Sequence, residues 1–194
     1  MSACESTNQA DVRPSAAVTV RRAVLANLEG MARVHVDTWK SAYRGIVPDY
    51  RLNELTPEGD ISRGFGSWLR NPREGEAPFV AFAGSDDVVG FAVGGPNREA
   101  DPAFTGELIT IYVTKSVQGH GVGTALVREV ARHLLATGMY SMNAWVQERN
   151  PYRRFYERLG GVLVSRRIHV SRTLGVPLPV VSYGWEDIRR LASL

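Results

Sequence analysis

The segment VTKSVQGHGVGTALVREV, which runs from Val113 to Val130, decides how this chain is interpreted. It places Gly119, Gly121 and Gly123 within five residues, directly before an apolar stretch with helical spacing. Glycine at the start of a helix costs conformational entropy, so the pattern indicates that something approaches the backbone closely there. The first N–H groups of a helix lack intrahelical acceptors and lie at the positive end of its dipole. The segment therefore predicts a phosphate-binding site.

Three phosphate-binding patterns can be compared with this segment. A P-loop needs Lys followed by Ser or Thr after its last glycine, and that pair is missing. A dinucleotide fingerprint needs G-x-G-x-x-G, whereas the spacing here is G-x-G-x-G. Glu148 is available as the acidic residue that this fingerprint needs. The order of strands before the glycine loop, however, does not fit a dinucleotide-binding unit. The third pattern, Q/R-x-x-G-x-G/A, is satisfied in full by QGHGVG from Gln118 to Gly123.

Length and composition indicate one globular domain. The chain has 194 residues, of which 44% are hydrophobic and 22% are charged, with a net charge of +3. We expect a disordered leader over residues 1–17, because that stretch is polar and rich in small residues, and a single domain over residues 18–194. The leader has no basic segment followed by an apolar core, so a secretory signal is not indicated and a cytoplasmic protein is expected.

Several classes of protein are not indicated. The one cysteine, Cys4, excludes a disulfide within the chain, and the four scattered histidines have no metal-ligand spacing, so we expect no metal. No apolar run approaches the ~20 residues that span a bilayer, so we expect no membrane partner. The basic residues are scattered, which argues against nucleic acid.

The hydrophobic pattern predicts a mixed α/β fold with a partly antiparallel sheet. The expected order is a strand, helices, three strands, a helix, a strand, a helix and two strands. Thr56 is a plausible helix N-cap before Pro57. Asn150 is a plausible N-cap for the last helix, with Pro151 at its first position.

The QGHGVG motif and its surroundings resemble the GNAT superfamily of N-acetyltransferases. The segments that carry the resemblance are ELITIYVTKSVQGHGVGTALV, NPYRRFYERLGG and PVVSYGWEDI, together with VTVRRAVLANLEGMARVHVDTW near the start. The segment WKSAYRG also resembles a bacterial subgroup with a W-x-x-A-Y-R-G motif. The resemblance covers roughly Val18 to the C-terminus. Departures are Lys115, where proline is frequent, Arg153, where alanine is usual, and Gly161, where phenylalanine is usual.

The resemblance implies an acyl-CoA N-acyltransferase fold. Its sheet is mostly antiparallel, has six to seven strands, splays between strands 4 and 5, and is flanked by about four helices. Acetyl-CoA would be the cosubstrate, with its pantetheine arm pairing with the backbone of Ile111 and Val113. The residues that the resemblance implies for cofactor binding are Ile111, Tyr112, Val113, Gln118, Gly119, His120, Gly121, Val122, Gly123, Thr124, Asn150 and Arg153.

The reaction of this family is attack of an amine on a thioester. An alkyl ammonium has a pKa of about 10.4, so the reaction needs a base, and the departing thiolate needs an acid. The resemblance implies Tyr156 as the acid and Glu107, acting through water, as the base. Tyr156 could instead be a packed aromatic residue, and Glu107 a solvated carboxylate at a strand end. His35 and His169 are further candidates for the base.

The acceptor end is less well defined by the sequence. Trp39, Tyr43 and His35 are candidate acceptor-binding residues, although the first two, four apart, could equally be core residues of the first helix. The expected partner is a small-molecule amine, and a homodimer is possible. The alternatives are a non-catalytic acyl-CoA-binding sensor, or acylation of a macromolecular amine on a protein or a charged tRNA. A nucleotide-binding oxidoreductase is the fourth hypothesis, and it lacks a full dinucleotide-binding unit in the sequence.

Overall fold

The computed structural model describes residues 17–99, 103–171 and 175–194, so the predicted leader lies outside the described residues except for Ala17. The strands are β1 (Val18–Arg22), β2 (Ala77–Ala83), β3 (Gly90–Pro96), β4 (Gly106–Val113), β5 (Met142–Gln147), β6 (Val162–Val170) and β7 (Pro177–Trp185). The helices are α1 (Leu28–Ala42), α2 (Asp49–Asn53), α3 (Pro57–Ser62), α4 (Ser67–Arg70), α5 (Val122–Ala136) and α6 (Arg154–Arg158).

One sheet of seven strands runs in the order β1-β2-β3-β4-β5-β7-β6. Neighbouring strands are antiparallel except β4 and β5, which are parallel. The predicted mixed α/β class and the predicted order of elements are confirmed. The described residues hold six helices, not about four, because α2, α3, α4 and α6 have only four to six residues and are too short to produce a clear periodicity.

Helices cover both faces of the sheet. Phe79 of β2 packs in the main buried cluster, to which α5 contributes Leu126. The next residue, Val80, packs in a separate cluster with Met31 of α1. Because successive residues of a strand point to opposite faces, α5 lies on one face and α1 on the other. No helix within the described ranges is long and apolar enough to cross a membrane.

The sheet opens between β4 and β5, as expected. These two strands pair only at their first residues, where Gly106 lies opposite Met142 and Glu107 lies opposite Asn143. Beyond that point neither strand pairs with the other, although β4 still pairs with β3 and β5 with β7. One backbone edge of β4 is therefore left free to bind a ligand as a further strand.

A β-bulge lies in β4 beside this opening. Leu108 and Thr110 pair with consecutive residues of β3, so Ile109 is an extra residue on the β4 side. A bulge bends its strand and increases the local twist. The bulge therefore lies where β4 stops pairing with β5, and Ile111, Tyr112 and Val113 follow it in the unpaired half of the strand.

Two predicted helix caps have opposite outcomes. Thr56 caps α3 as predicted, because its hydroxyl accepts the N–H of Gly59 at 3.0 Å. The prediction that Asn150 caps the last helix is wrong, because α6 begins at Arg154. Turns bonded from residue i to i+3 precede it, and the Asn150 side chain instead accepts the N–H of Tyr152 at 2.8 Å. The short side chain of Asn150 therefore stabilises a turn, a role that asparagine fulfils as readily as capping.

Candidate active site

A cleft of about 1600 Å³ follows the opening between β4 and β5. The unpaired half of β4 and the residues Trp145–Gln147 of β5 form its two long walls. The glycine loop, defined here as residues Gly119–Thr124, lies at one end together with α6. Residues of α1 and α3 lie at the other end. The cleft thus joins the α5 face of the sheet to its α1 face.

The glycine loop presents a row of free backbone donors. Gly119 and Gly121 have φ angles of 81° and 82°, a region that favours glycine, and a side chain at either would meet open space. Gly123 differs, because an added Cβ would lie 3.1 Å from the ring of Phe155. Within the described part of the chain, none of the six backbone N–H groups from residue 119 to residue 124 has a hydrogen-bond acceptor. These six groups, three of which belong to the first turn of α5, have the arrangement that binds anions in proteins.

Only some of the other residues predicted for cofactor binding line the cleft. Gln118 lines the cleft, but its side-chain amide donates to the carbonyl of Val113 at 2.9 Å. His120 is exposed, and its Nδ1 contacts the carbonyl of Gln118 at 3.0 Å. The side chain of Val122 is buried in the main core, so only its backbone can contribute. Asn150 lines the cleft, whereas Arg153 does not belong to its lining.

Three tyrosines from separate parts of the chain line the cleft. Tyr43 follows α1, Tyr112 lies on β4 and Tyr156 on α6, and all three line the cleft. The Tyr43 hydroxyl accepts from the side-chain amide of Asn150 at 3.2 Å, and the Tyr112 hydroxyl accepts from the indole N–H of Trp39 at 3.0 Å. Burial raises the pKa of each phenol, so all three stay neutral in the physiological range.

Of the three, Tyr156 is the tyrosine whose hydroxyl makes no hydrogen bond with any described residue. The hydroxyls of Tyr43 and Tyr112 each accept one. The ring of Tyr156 stacks on Tyr183 at 5.6 Å between centroids with an interplanar angle of 11°. Burial, with smaller effects of the Tyr112 and Tyr183 phenols, raises its pKa above the ordinary value. Tyr156 is therefore a rigidly held, neutral hydrogen-bond donor.

Glu107 is neither solvated nor part of the cleft lining. It is 1% exposed and forms a two-pronged ion pair with Arg98, with Nη2–Oε1 and Nε–Oε2 distances of 2.5 and 2.9 Å. The backbone N–H of Arg98 also donates to Oε2 at 3.2 Å. This hydrogen bonding raises the pKa of Arg98. The interpretation of Glu107 as a solvated carboxylate is wrong, because β4 is paired at this residue with both β3 and β5, and Arg98 neutralises the carboxylate.

A buried histidine–carboxylate pair lies at the α1 end of the cleft. Nδ1 of His35 lies 2.5 Å from Oδ2 of Asp60, and the two residues are 5% and 4% exposed. The other oxygen of Asp60 accepts from Arg63 at 2.7 Å. Burial alone would raise the pKa of Asp60, but its hydrogen bonds with His35 and Arg63 and the positive charge of Arg63 outweigh that effect, so the pKa lies below its ordinary value. Asp60 is therefore ionised and oriented between two donors.

Unsatisfied polar groups concentrate around the cleft. Five buried polar side-chain atoms have no hydrogen-bond partner among the described residues. Four of them belong to residues that line the cleft: Thr38 Oγ1, Trp145 Nε1, Gln147 Oε1 and Arg167 Nε. Buried polar atoms in native proteins are normally paired, so these four atoms need a ligand or ordered water to complete their bonding. No group of three or more His, Cys, Asp or Glu in the described ranges could hold a metal ion.

The predicted acceptor residues His35, Trp39 and Tyr43 all line the cleft. The rings of Trp39 and Tyr43 lie 4.4 Å apart between centroids with an interplanar angle of 35°, and both residues belong to a buried cluster. The core interpretation is therefore correct for both, and their acceptor role stays a prediction. Sequence reasoning missed the carboxylate Asp60 and the cleft residues Gln147 and Arg167. The only local sign of Asp60 was its place four residues after a capping Thr56, and that pattern cannot separate a buried carboxylate from a solvated one.

Comparisons with known proteins agree with this geometry. A model of the acetyltransferase (GNAT) family matches residues 39–161. The uncharacterised N-acetyltransferase YuaI of Bacillus subtilis is 36% identical over 177 residues, which covers 91% of this chain and 98% of YuaI.

Solved structures give the same result for the fold. A GNAT-family structure from Desulfovibrio desulfuricans has 26% sequence identity and a TM-score of 0.62, and the match covers 87% of this chain and 98% of that one. The structure of yncA from Salmonella typhimurium with its cofactor acetyl-CoA has 21% identity and a TM-score of 0.55, with 87% and 92% coverage. The latter likeness concerns the fold alone.

Proposed function

This chain belongs to the acetyltransferase (GNAT) family, and we propose that it transfers an acetyl group from acetyl-CoA to a primary amine by direct attack. The observation that carries the proposal is the row of six free N–H groups in the glycine loop, next to the unpaired edge of β4. A pyrophosphate and an extended amide-containing arm are the two chemical groups that such a surface binds best.

The described residues fit this cosubstrate. The glycine loop would hold the pyrophosphate, and the backbone of Ile111 and Val113 would pair with the pantetheine amides. Gln118 would have to release the carbonyl of Val113, which it holds at 2.9 Å, for that carbonyl to accept from the arm. When bound, acetyl-CoA supplies an acetyl group activated as a thioester.

The transfer requires two proton movements. The amine nitrogen forms a bond with the carbonyl carbon, the carbon–sulfur bond breaks, the amine loses a proton and the thiolate gains one. Tyr156 is proposed as the donor to the sulfur, because it lines the cleft and its hydroxyl makes no hydrogen bond with any described residue. The resemblance implies Glu107 as the base. Its carboxylate is already paired with Arg98, which does not favour that role.

The acceptor is proposed to be a small molecule that enters at the α1 end. The unsatisfied atoms of Thr38 and Gln147 and the aromatic side chain of Trp39 support a ligand there. The guanidinium carbon of Arg167 lies 3.9 Å from the ring centroid of Trp145, and Arg167 also pairs with Glu99. These contacts limit the space for the acceptor on that side of the cleft. The homodimer stays a prediction.

The first test is a calorimetric titration with acetyl-CoA, followed by a thiol-release assay over a panel of amino acids, aminoglycosides, small alkylamines and peptides with a free N-terminus. We expect saturable binding and release of thiol with at least one amine. Binding with no thiol release for any amine would favour the non-catalytic sensor, and absence of binding would contradict the proposal.

Replacing Tyr156 with phenylalanine is expected to lower kcat about 100-fold while acetyl-CoA affinity stays the same, since loss of one positioned acid typically costs at least that much. The variant keeps the ring and its stacking, so only the donor is lost. The measurement is steady-state thiol release alongside calorimetric titration.

Tyr183→Phe is the matched control for this change. Tyr183 is a buried tyrosine that stacks on Tyr156, but its hydroxyl donates to Glu157 at 2.7 Å and it does not line the cleft. It should lose some stability and keep its kcat. An equal fall in kcat for both variants would mean that packing, and not proton donation, explains the effect.

A further inference from the structure

We propose that His35, held in place by Asp60, is the group that accepts the proton of the attacking amine. The inference rests on the proposed acetyltransferase function and assigns the base for it. It differs from the expectation for Glu107, and it gives Asp60 a positioning role that the sequence did not reveal.

The hydrogen bond between His35 and Asp60 determines which imidazole nitrogen faces the cleft. Because Asp60 is an ionised acceptor 2.5 Å from Nδ1, that nitrogen carries a proton. A neutral imidazole then has its lone pair on Nε2. Nε2 makes no hydrogen bond with any described residue, and His35 lines the cleft. The nitrogen that could accept a proton is therefore the one that is available to a ligand.

The surroundings of His35 hold the ring firmly. Measured between ring centroids, Phe65 and Tyr112 each lie 4.8 Å from His35, and Trp39 lies 5.9 Å from it. Of these, only Tyr112 is titratable, and burial raises its pKa, so it stays neutral. The groups that set the charge near His35 are then Asp60 and, behind it, Arg63.

Arg63 helps to fix the position of Asp60. Oδ1 of Asp60 accepts from Arg63 at 2.7 Å, while Oδ2 contacts Nδ1 of His35. Both carboxylate oxygens are therefore engaged, so Asp60 holds the imidazole in one orientation.

The competing bases are less well placed. Glu107 is enclosed by Arg98 through three hydrogen bonds and does not line the cleft. His169 lines the cleft but is exposed on the edge strand β6. His35 is both buried and oriented, which are the conditions that an effective general base requires. In the proposed step the proton moves from the amine nitrogen to Nε2 as the carbon–nitrogen bond forms.

The first experiment measures the protonation of His35 in the full chain. Two-bond ¹H–¹⁵N spectra of protein labelled with ¹⁵N-histidine are recorded across pH, with His35→Asn used to assign the signal. We expect neutral His35 with its proton on Nδ1 at the pH of the assay, with and without acetyl-CoA. An imidazole that carries its proton on Nε2, or stays doubly protonated at that pH, would overturn the proposal.

The second experiment is kinetic and uses the most active amine of the acceptor panel. His35→Asn keeps a side-chain N–H that can bond Asp60 but has no basic nitrogen, so we expect kcat/KM to fall about 100-fold and the acid limb of the pH profile to disappear. Asp60→Asn should lower the rate about 10-fold and move the imidazole proton toward Nε2, a change that a purely structural role would not produce.

The outcomes separate the two proposals. If no amine releases thiol, the proposed function fails and the spectra alone decide the state of His35. If thiol is released and His35→Asn keeps both its rate and its acid limb, the base assignment is wrong while the acetyltransferase function stands. An acid limb that vanishes in Glu107→Gln and survives in His35→Asn would return the role to Glu107.

Discussion

Replacing Gly121 with glutamate is expected to lower the affinity for acetyl-CoA at least about 100-fold. Gly121 is the N-cap of α5, and its N–H is one of the six free donors of the glycine loop. A carboxylate there can itself bond to those donors, and it repels a pyrophosphate. Like charges brought together in a binding site cost several kcal/mol, and each 1.4 kcal/mol is a factor of ten in affinity. Calorimetric titration measures the change.

Gly138→Glu is the matched control for backbone strain. Gly138 follows the other end of α5, has a φ angle of 81°, and would also carry its side chain into open space. Both variants force a residue with a Cβ into the left-handed region, at roughly 1–2 kcal/mol each. Both melting temperatures should fall, and that of Gly138→Glu should fall further because a carboxylate at a helix C-terminus opposes the helix dipole. Only Gly121→Glu should lose affinity. A similar loss of affinity in both would show that the anion site is not at the glycine loop.

Replacing Arg98 with alanine is expected to lower the free energy of unfolding by about 3–5 kcal/mol. The change leaves the carboxylate of Glu107 buried with only the backbone N–H of residue 98 as a donor. Removing one partner of a buried ion pair is costly because the remaining charge is uncompensated. Urea denaturation followed by circular dichroism measures the difference at neutral pH.

Two further variants test this explanation. Arg189 also forms a bidentate pair, with Asp187, but both side chains are exposed, so Arg189→Ala should change stability little. The double variant Arg98→Met with Glu107→Gln removes both charges and should recover most of the stability that Arg98→Ala loses. If the double variant is as unstable as the single one, packing of the Arg98 stem and not the buried charge accounts for the loss.

Local patterns in the sequence were sufficient for the order of elements and for the glycine loop. A strand, a positive-φ glycine turn and a helix N-terminus are defined by neighbouring residues, because backbone preference and hydrogen bonding there act over a few positions. Thr56 was recognised as a cap for the same reason, and its hydroxyl bonds Gly59, three residues on. Asn150 shows the limit of such patterns, since an asparagine can stabilise either a helix end or a turn and the sequence does not distinguish the two.

The chemistry of the cleft was decided by tertiary structure. His35 and Asp60 are 25 residues apart, and Tyr43 and Asn150 are 107 apart, yet each pair is joined by a hydrogen bond. The sequence allowed Glu107 to be a base or a solvated carboxylate at a strand end, and the pairing of β4 with both β3 and β5, with the side chain of Arg98, makes it buried and neutralised. Local sequence determines how the backbone turns, whereas burial and pairing of charges depend on which distant elements pack together, and those contacts exist only in the folded chain.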